Sequence, residues 1–321
     1  MHAVQWRRMP SSVSCLLGLS VFERGWLSSN NVLMHGDGAG ATLIDTSHCL
    51  HAVQTVALVR HALQQVQPAE GLVRIINTHL HSDHCGGNAT LQREFDAELL
   101  IPPGQWDAVD RWDADALSYE PTGQHCDRFV PQGRITPGET LPLGTRRWEV
   151  LAAPGHDPHS VMLFDAAHGV LISADALWEN GFGLVFPELA GEPGFDDVEQ
   201  VLDLIAALPV QCVIPGHGAP FTDCAGALQR ARRLLQKQRA DPRHHSRHAT
   251  KVLIKYHLME ERAMAWPALR SWACARPMFA RAFHDQGTLG GASMADWFET
   301  LVHELAARGA VAIRDGVVHD I

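Results

Sequence analysis

The chain has 321 residues, 46% of them hydrophobic and 19% charged, with a formal net charge of −10. That length supports a sizeable core and two units, and the composition is that of an ordinary globular protein, which excludes a fibrous or disordered chain. Seven cysteines (Cys15, Cys49, Cys85, Cys126, Cys212, Cys224, Cys274) are odd in number, scattered and without a CxxC pair. This argues against a disulfide framework and for a reducing, cytoplasmic setting.

Arg7-Arg8 precedes Val13 to Phe22, an apolar segment of signal-peptide core length, but Glu23-Arg24-Gly25-Trp26 stands where a small-x-small cleavage site belongs. The segment is therefore read as a strand, Ser14 to Phe22, followed by strands at Asn31 to His35 and Ala41 to Thr46, the last carrying Asp45 near its end. Leu50 to Val66 has apolar residues at helical spacing and stops near Pro68. No window reaches the length of a membrane-spanning helix, so no membrane partner is expected.

The apolar run Leu72 to Ile76, with Asn77, reads as a buried strand. It leads into Thr78-His79-Leu80-His81-Ser82-Asp83-His84-Cys85-Gly86-Gly87, in which three histidines and one aspartate have the order His-x-His-x-Asp-His. Imidazole nitrogens and carboxylate oxygens are the ligands that borderline divalent metals prefer, and a strand-to-helix loop lets such side chains converge on one point. Asn88 to Phe95 resumes a helical pattern, and Glu98 to Ile101 is a strand broken by Pro102-Pro103-Gly104. Residues 104 to 137 are irregular and carry Trp106, Trp112, Tyr119 and Phe129. They read either as a pocket wall or as a pair of helices whose aromatic rings pack on the domain.

Three later strand ends each bring one more ligand type: His156 after Trp148 to Leu151, Asp175 after Gly169 to Ile172, and His217 after Gln211 to Ile214. With His79, His81, Asp83 and His84 they make seven, the number a two-metal hydrolytic site needs. Zinc is the default for such a set, with iron or manganese also accepted. Trp178 and Phe182, in the loop leaving Asp175, are the candidate apolar substrate contacts, and Glu179 is a candidate polar one. His159, on a turn at Pro158, is read as bonding a loop carbonyl.

Val198 to Leu208 is an amphipathic helix with Asp196 or Asp197 placed to cap it, and a first unit is drawn at residues 1–225. Residues 226–248 read as a basic helix bearing Arg230, Arg232, Arg233, Lys237 and Arg239, followed by a solvated linker, His244-His245-Ser246-Arg247-His248. Residues 249–321 hold three helical patterns, at Val252 to Met259, Trp266 to Trp272 and Trp297 to Ala307, and a hairpin from Val311 to Val318. Helices followed by a small hairpin look like a winged helix. Residues 1–225 carry 11 Lys+Arg against 27 Asp+Glu, a net of −16, and residues 226–321 carry 15 against 9, a net of +6. An acidic catalytic half is a poor surface for a polyanion, whereas the basic tail could attract one.

With its ligand types in this order the chain resembles the metallo-β-lactamase-fold hydrolases, whose signature is His-x-His-x-Asp-His followed by a His, an Asp and a His on successive strand ends. The resemblance covers roughly residues 12 to 225. It implies an α/β fold, an αββα sandwich with the site on one edge and a smaller, mainly helical, winged-helix-like C-terminal domain. It further implies that His79, His81 and His156 hold one metal, that Asp83, His84 and His217 hold the other, and that Asp175 bridges them. Asp45 would then support the ligand loop by orienting a histidine, although a strand-end cap explains it as well. In those relatives an appended C-terminal domain walls the active site or an oligomer interface, while winged helices elsewhere bind DNA. Asp175 stands where true zinc β-lactamases carry a cysteine, which points to the branch with glyoxalase II, lactonases and metal-dependent nucleases. The chain lacks the C-terminal glutathione-binding pattern of a glyoxalase II, and its likeness to lactonases is confined to the metal motif.

The expected function is a binuclear hydrolase that turns a metal-bridging hydroxide on a thioester, ester or lactone, with Asp83 the catalytic candidate. No GxSxG nucleophile motif competes with a water-derived nucleophile. The expected partner is a small-molecule substrate, and a homo-oligomer is open. Two other readings remain: a phosphodiesterase or ribonuclease that uses the basic tail on nucleic acid, and a non-catalytic metal-binding sensor or interaction module.

Overall fold

The computed structural model describes residues 16–36, 38–66, 69–286 and 291–321. Arg7-Arg8, Ser14, Cys15 and Pro68 lie outside the described residues. Two sheets stack face to face. The first runs in the order β1 (Leu19–Phe22), β2 (Asn31–Met34), β3 (Ala41–Ile44), β4 (Leu72–Ile76), β5 (Glu98–Ile101) and β6 (Gly133–Arg134). β1 to β3 pair antiparallel, and β3 to β6 pair parallel. The second sheet comprises β7 (Thr140–Leu143), β8 (Arg146–Ala152), β9 (Val161–Asp165), β10 (Val170–Ala174) and β11 (Cys212–Pro215). Its spatial order is β11-β10-β9-β8-β7, and only β10 and β11 run parallel.

Both faces of each sheet are covered, which is why the central strands read as nearly unbroken apolar runs. Alternate residues serve different layers. Val32, Met34, Ile44 and Ile76 meet Trp148, Val150, Leu163 and Ile214 between the sheets. Leu33, Leu43, Ile75 and Leu99 point outward under the helices Ala52–Val66 and Asn88–Phe95. On the far side, Phe164, Leu171 and Val213 pack under Phe195–Ala207 and Cys224–Ala240. The result is the expected four-layer αββα sandwich.

Within residues 104 to 137, the helices Trp106–Arg111 and Tyr119–Thr122 set Trp106, Trp112, Tyr119 and Phe129 against the outer face of the first sheet. The aromatic rings pack on the domain, as in the second of the two readings, while Gln124 of the same segment lines a cavity, as in the first. Asp196 and Asp197 lie in the first turn of Phe195–Ala207, with Gly194 at its N-cap.

The C-terminal region corrects two expectations. The stretch read as a solvated linker begins the helix Pro242–Glu261, in which His245 and Ser246 are buried. Asp241 caps that helix by accepting from the His244 amide, so the chain turns sharply between two helices without a free spacer. Beyond it come β12 (Ala263–Ala265), the helices Trp266–Cys274, Pro277–Asp285 and Met294–Ala307, β13 (Val311–Arg314) and β14 (Val317–Asp320). Pro277–Asp285 is a helix that the sequence reading left out. The hairpin β13–β14 is extended by β12 into a three-stranded antiparallel sheet of order β12-β14-β13. Phe279, Phe298, Leu301 and Val302 form a separate small core beneath it.

Candidate metal centre

All seven candidate ligands lie at the carboxyl ends of strands, on one edge of the sandwich. β4 delivers His79 and His81 on its exit loop, and Asp83 and His84 on the short helix Ser82–Cys85. His156 follows β8, Asp175 follows β10, and His217 follows β11. Two glycines make the approach possible. A Cβ on Gly216 would lie 2.1 Å from Asp175 Oδ1, and one on Gly183 would lie 2.3 Å from His156 Nδ1. Side chains there would push the ligands out of place.

The donors form two groups, His79/His81/His156 and Asp83/His84/Asp175/His217, all buried. In the first, His81 Nδ1 lies 3.1 Å from His79 Nε2 and 2.8 Å from His156 Nε2. His156 Nδ1 donates to the Leu184 carbonyl at 2.6 Å, so its Nε2 faces inward as a lone pair. One proton on His81 cannot satisfy both neighbours. Three nitrogens at this spacing suit a tetrahedral zinc, where bonds of 2.0–2.1 Å would set ligand nitrogens about 3.3 Å apart.

In the second group, His84 Nδ1 donates to Asp45 Oδ2 at 2.7 Å, and Asp45 also accepts from the Thr78 amide and hydroxyl, both at 2.8 Å. Asp45 therefore fixes the ring orientation and leaves Nε2 as the inward atom, as the resemblance implied. That Nε2 is buried without a hydrogen-bond partner, 3.5 Å from Asp175 Oδ1 and 3.7 Å from Asp83 Oδ2. His217 Nε2 lies 3.0 Å from Asp83 Oδ2 and 3.8 Å from Asp175 Oδ2. Asp175 Oδ2 is also 3.4 Å from His156 Nε2, which puts this carboxylate between the two groups.

The electrostatics favour cations here. Burial alone would lower the pKa of His84, yet Asp175, Asp45 and Asp83 hold it well above the ordinary value. Burial would raise Asp83, but His84 and His217 bring it down to about 2. Burial likewise opposes ionisation of Asp175, and His84 with His217 overrides it, leaving that carboxyl well below its ordinary range. In the all-histidine group the balance is reversed. Burial and then the neighbouring rings push His79 well below its ordinary value, and burial with His156 brings His81 down to about 4. The carboxylates and the all-histidine group thus have the protonation states in which they bind metals, while His84 would exchange its inward proton for a cation.

A cavity of about 420 Å³ opens onto the centre. Trp178 and Phe182, the candidate apolar contacts, line it. Glu179 does not: it is exposed, its backbone carbonyl accepts from Arg230 Nε at 2.7 Å, and the turn closed by Trp178 and Gly181 carries it outward. Trp178 Nε1 donates to Asp175 Oδ1 at 3.1 Å. Three aromatic residues escaped the sequence reading. Trp26 stacks on His217, with ring centroids 5.3 Å apart and planes 14° apart. Phe186 lies 4.4 Å from the His81 ring. The Tyr256 hydroxyl lies 2.8 Å from Ser82 Oγ, next to His81.

Tyr256 belongs to a stripe of the helix Pro242–Glu261 that lines the cavity with His248, Lys251, Val252, Lys255 and Met259. Steps of three and four residues put all six on one helix face. A sequence signal existed in that spacing, but it was masked by the polar residues between. Three of the four arginines of the preceding helix are engaged locally: Arg230 with Asp223, Arg232 with Asp203, and Arg239 with Asp196 and Glu199.

Comparison with known proteins agrees with this geometry. The sequence model described as the metallo-beta-lactamase superfamily matches residues 24–217. The acyl-coenzyme A thioesterase MBLAC2 of Homo sapiens is 25% identical over 241 residues, spanning 69% of this chain and 84% of that protein. A hydroxyacylglutathione hydrolase of Xanthomonas euvesicatoria is 32% identical over 162 residues, spanning 50% of this chain and 53% of the other. Among solved structures, a metallo-beta-lactamase family protein from Thermus thermophilus superposes with a TM-score of 0.54 at 20% identity, covering 95% of this chain and 99% of that one. That likeness shows the fold.

Proposed function

The chain belongs to the metallo-beta-lactamase superfamily, and from that premise we propose that it is a two-metal thioesterase acting on thioesters with an apolar acyl chain. One observation carries the substrate class: the cavity over the paired His/Asp groups is walled by Trp26, Trp178, Phe182, Phe186, Val252 and Met259, with cationic side chains beside them. An acyl chain fits such walls, and a carbonyl at its end would lie over the centre. Lys251, Lys255 and Arg308 stand on the rim of the cavity, the two lysines paired with Glu304 and Asp320. Such a rim suits an anionic carrier on the thiol side. The relative named as an acyl-coenzyme A thioesterase supports the same reading.

We assign His79, His81 and His156 to one divalent ion and Asp83, His84 and His217 to the other, with Asp175 between them. Zinc suits this donor set first, and iron or manganese would also be held. Bound there, the two ions would supply an acidified water and a Lewis acid for the thioester carbonyl. The chain's own groups do the rest. Asp45 holds the proton of His84 on Nδ1, and Leu184 O holds that of His156 on Nδ1, so the opposite nitrogens stay available. Trp178 pins one oxygen of Asp175. Trp26 and Phe186 pack against the His217 and His81 rings and flank the place of the reacting carbonyl.

The helical region after residue 241 is, in this reading, a winged-helix-like unit used as a cavity wall, with no nucleic acid partner. None of the six described cysteines is in a disulfide, which agrees with a cytoplasmic enzyme. Among the described residues no helix is long and apolar enough to cross a membrane.

The test is metal content by mass spectrometry together with a panel of long- and short-chain acyl thioesters, a lactone, a β-lactam, bis-p-nitrophenyl phosphate and a short RNA, each with wild type and Asp83→Ala. Two metals per chain and a preference of about tenfold or more for the long-chain thioester, lost in the variant, are expected. Faster cleavage of the phosphodiesters would replace this reading with a nuclease.

A further inference from the structure

The helix Ser82–Cys85 presents Asp83 and His84 to the centre and Cys85 to the opposite side. Cys85 is fully buried, and its Sγ lies 3.7 Å from Cys126 Sγ, 3.2 Å from the Tyr119 hydroxyl and 3.3 Å from the Leu80 carbonyl. Cys126 is half-buried and lines a second, open groove of about 610 Å³, with Trp112, Tyr119, His257 and Trp272. The segment that carries Cys126 also holds the ligand helix by its other end. Gln124 Oε1 accepts from the Ser82 amide at 3.1 Å and from the Ser82 hydroxyl at 2.8 Å. The two thiols therefore come from neighbouring segments, meet directly behind two candidate ligands, and differ in access.

We propose that Cys85 and Cys126 form an oxidation site at which hydrogen peroxide closes a disulfide that loosens the metal centre. Peroxide reaches Cys126 through the groove, and the thiol of Cys126 and H2O2 give the sulfenic acid and one water. The Cys85 sulfur then attacks the Cys126 sulfur. An S–S bond forms, the S–O bond breaks, and the departing hydroxide takes the Cys85 proton to leave as a second water. The sulfurs must close from 3.7 Å to about 2.05 Å. Cys85 is next to His84 in a four-residue helix, so whatever part of that movement Cys85 makes is passed to Asp83 and His84. A thiol reductant reverses it.

Zinc-loaded protein is treated with hydrogen peroxide, mapped by non-reducing peptide mass spectrometry, and challenged with a chromogenic chelator. Neither readout depends on the substrate, so a failed thioesterase assay leaves this test intact. A Cys85–Cys126 linkage is expected, with metal release accelerated about tenfold and restored by dithiothreitol. Cys126→Ser should show neither change, and Cys49→Ser should behave as wild type. Should Cys126→Ser melt early, Cys126→Ala takes its place, and the wild-type linkage map stands on its own. No linkage, a linkage to Cys49 instead, or a Cys85–Cys126 linkage without faster metal release would each overturn the proposal.

Discussion

The floor and the roof of the cavity are built by opposite rules. The floor is polar: seven His and Asp side chains, each at a strand end, are buried and held by Asp45, Leu184 O and Trp178. The roof is one face of the helix Pro242–Glu261, where Val252, Tyr256 and Met259 offer mainly surface and shape. Removing a floor residue leaves buried charges without partners, which costs several kcal/mol. Removing Val252 or Met259 costs only the apolar area it covered. Chemistry should therefore be fragile at the floor and adjustable at the roof.

The largest effect is expected at the floor. Asp175→Ala removes the carboxylate shared by both groups, so turnover should fall about a thousandfold or more and metal content should drop to one ion or fewer. A variant that keeps two ions and a tenth of the wild-type rate would remove Asp175 from its bridging place.

The next effect tests the roof by acid. His245 is almost fully buried, accepts from the Val185 amide at 3.4 Å and meets the Phe195 ring edge-on. Burial, then His248 and His244, lower its pKa from 6.5 to about 4. The folded chain thus binds this proton less readily than the unfolded one. Its stabilisation is complete above pH 6.5 and is lost as pH falls towards 4, roughly 3 kcal/mol in all. Urea unfolding at pH 7 and pH 4 should show that loss in wild type and less of it in His245→Gln. Equal acid sensitivity in both proteins would mean that the roof helix is not held by a neutral His245.

Asp45→Asn comes third. It keeps an acceptor for His84 Nδ1 but withdraws one of the charges that hold the His84 pKa up. Metal affinity should weaken about 10- to 100-fold with the fold unchanged, read by chelator competition. An affinity within a factor of two of wild type would reduce Asp45 to a strand-end cap.

This asymmetry also explains what was legible in the sequence. The floor could be read because candidate ligands are particular residue types at strand ends, and His79 to His84 compress four of them into one motif. Asp45 was legible for the same reason, at the end of β3. The roof could not be read in the same way. His244 to His248 look solvated by composition, and nothing in the residue types says that His245 faces Val185 and Phe195 while His244 faces water. Glu179 erred in the other direction: adjacency to Trp178 suggested a shared pocket, but a tight turn separates their directions. Trp26 sits in a loop with no periodicity, so its stacking on His217 depends on tertiary placement alone.

The smallest predicted effect sharpens the comparison most, because it separates chemistry from recognition. Met259 is half-buried at the cavity wall, three residues from Tyr256 on the same helix face. Met259→Ala removes part of an apolar wall, worth about 1 kcal/mol for a half-covered side chain, or roughly fivefold in KM. That loss should apply to a long acyl chain and vanish for an acetyl thioester, which is too short to reach the wall. kcat should be unchanged for both, because no ligand or ligand-orienting group has moved. If kcat falls equally for long and short chains, Met259 acts on the floor through Tyr256 and Ser82, and the division between roof and floor fails at that contact.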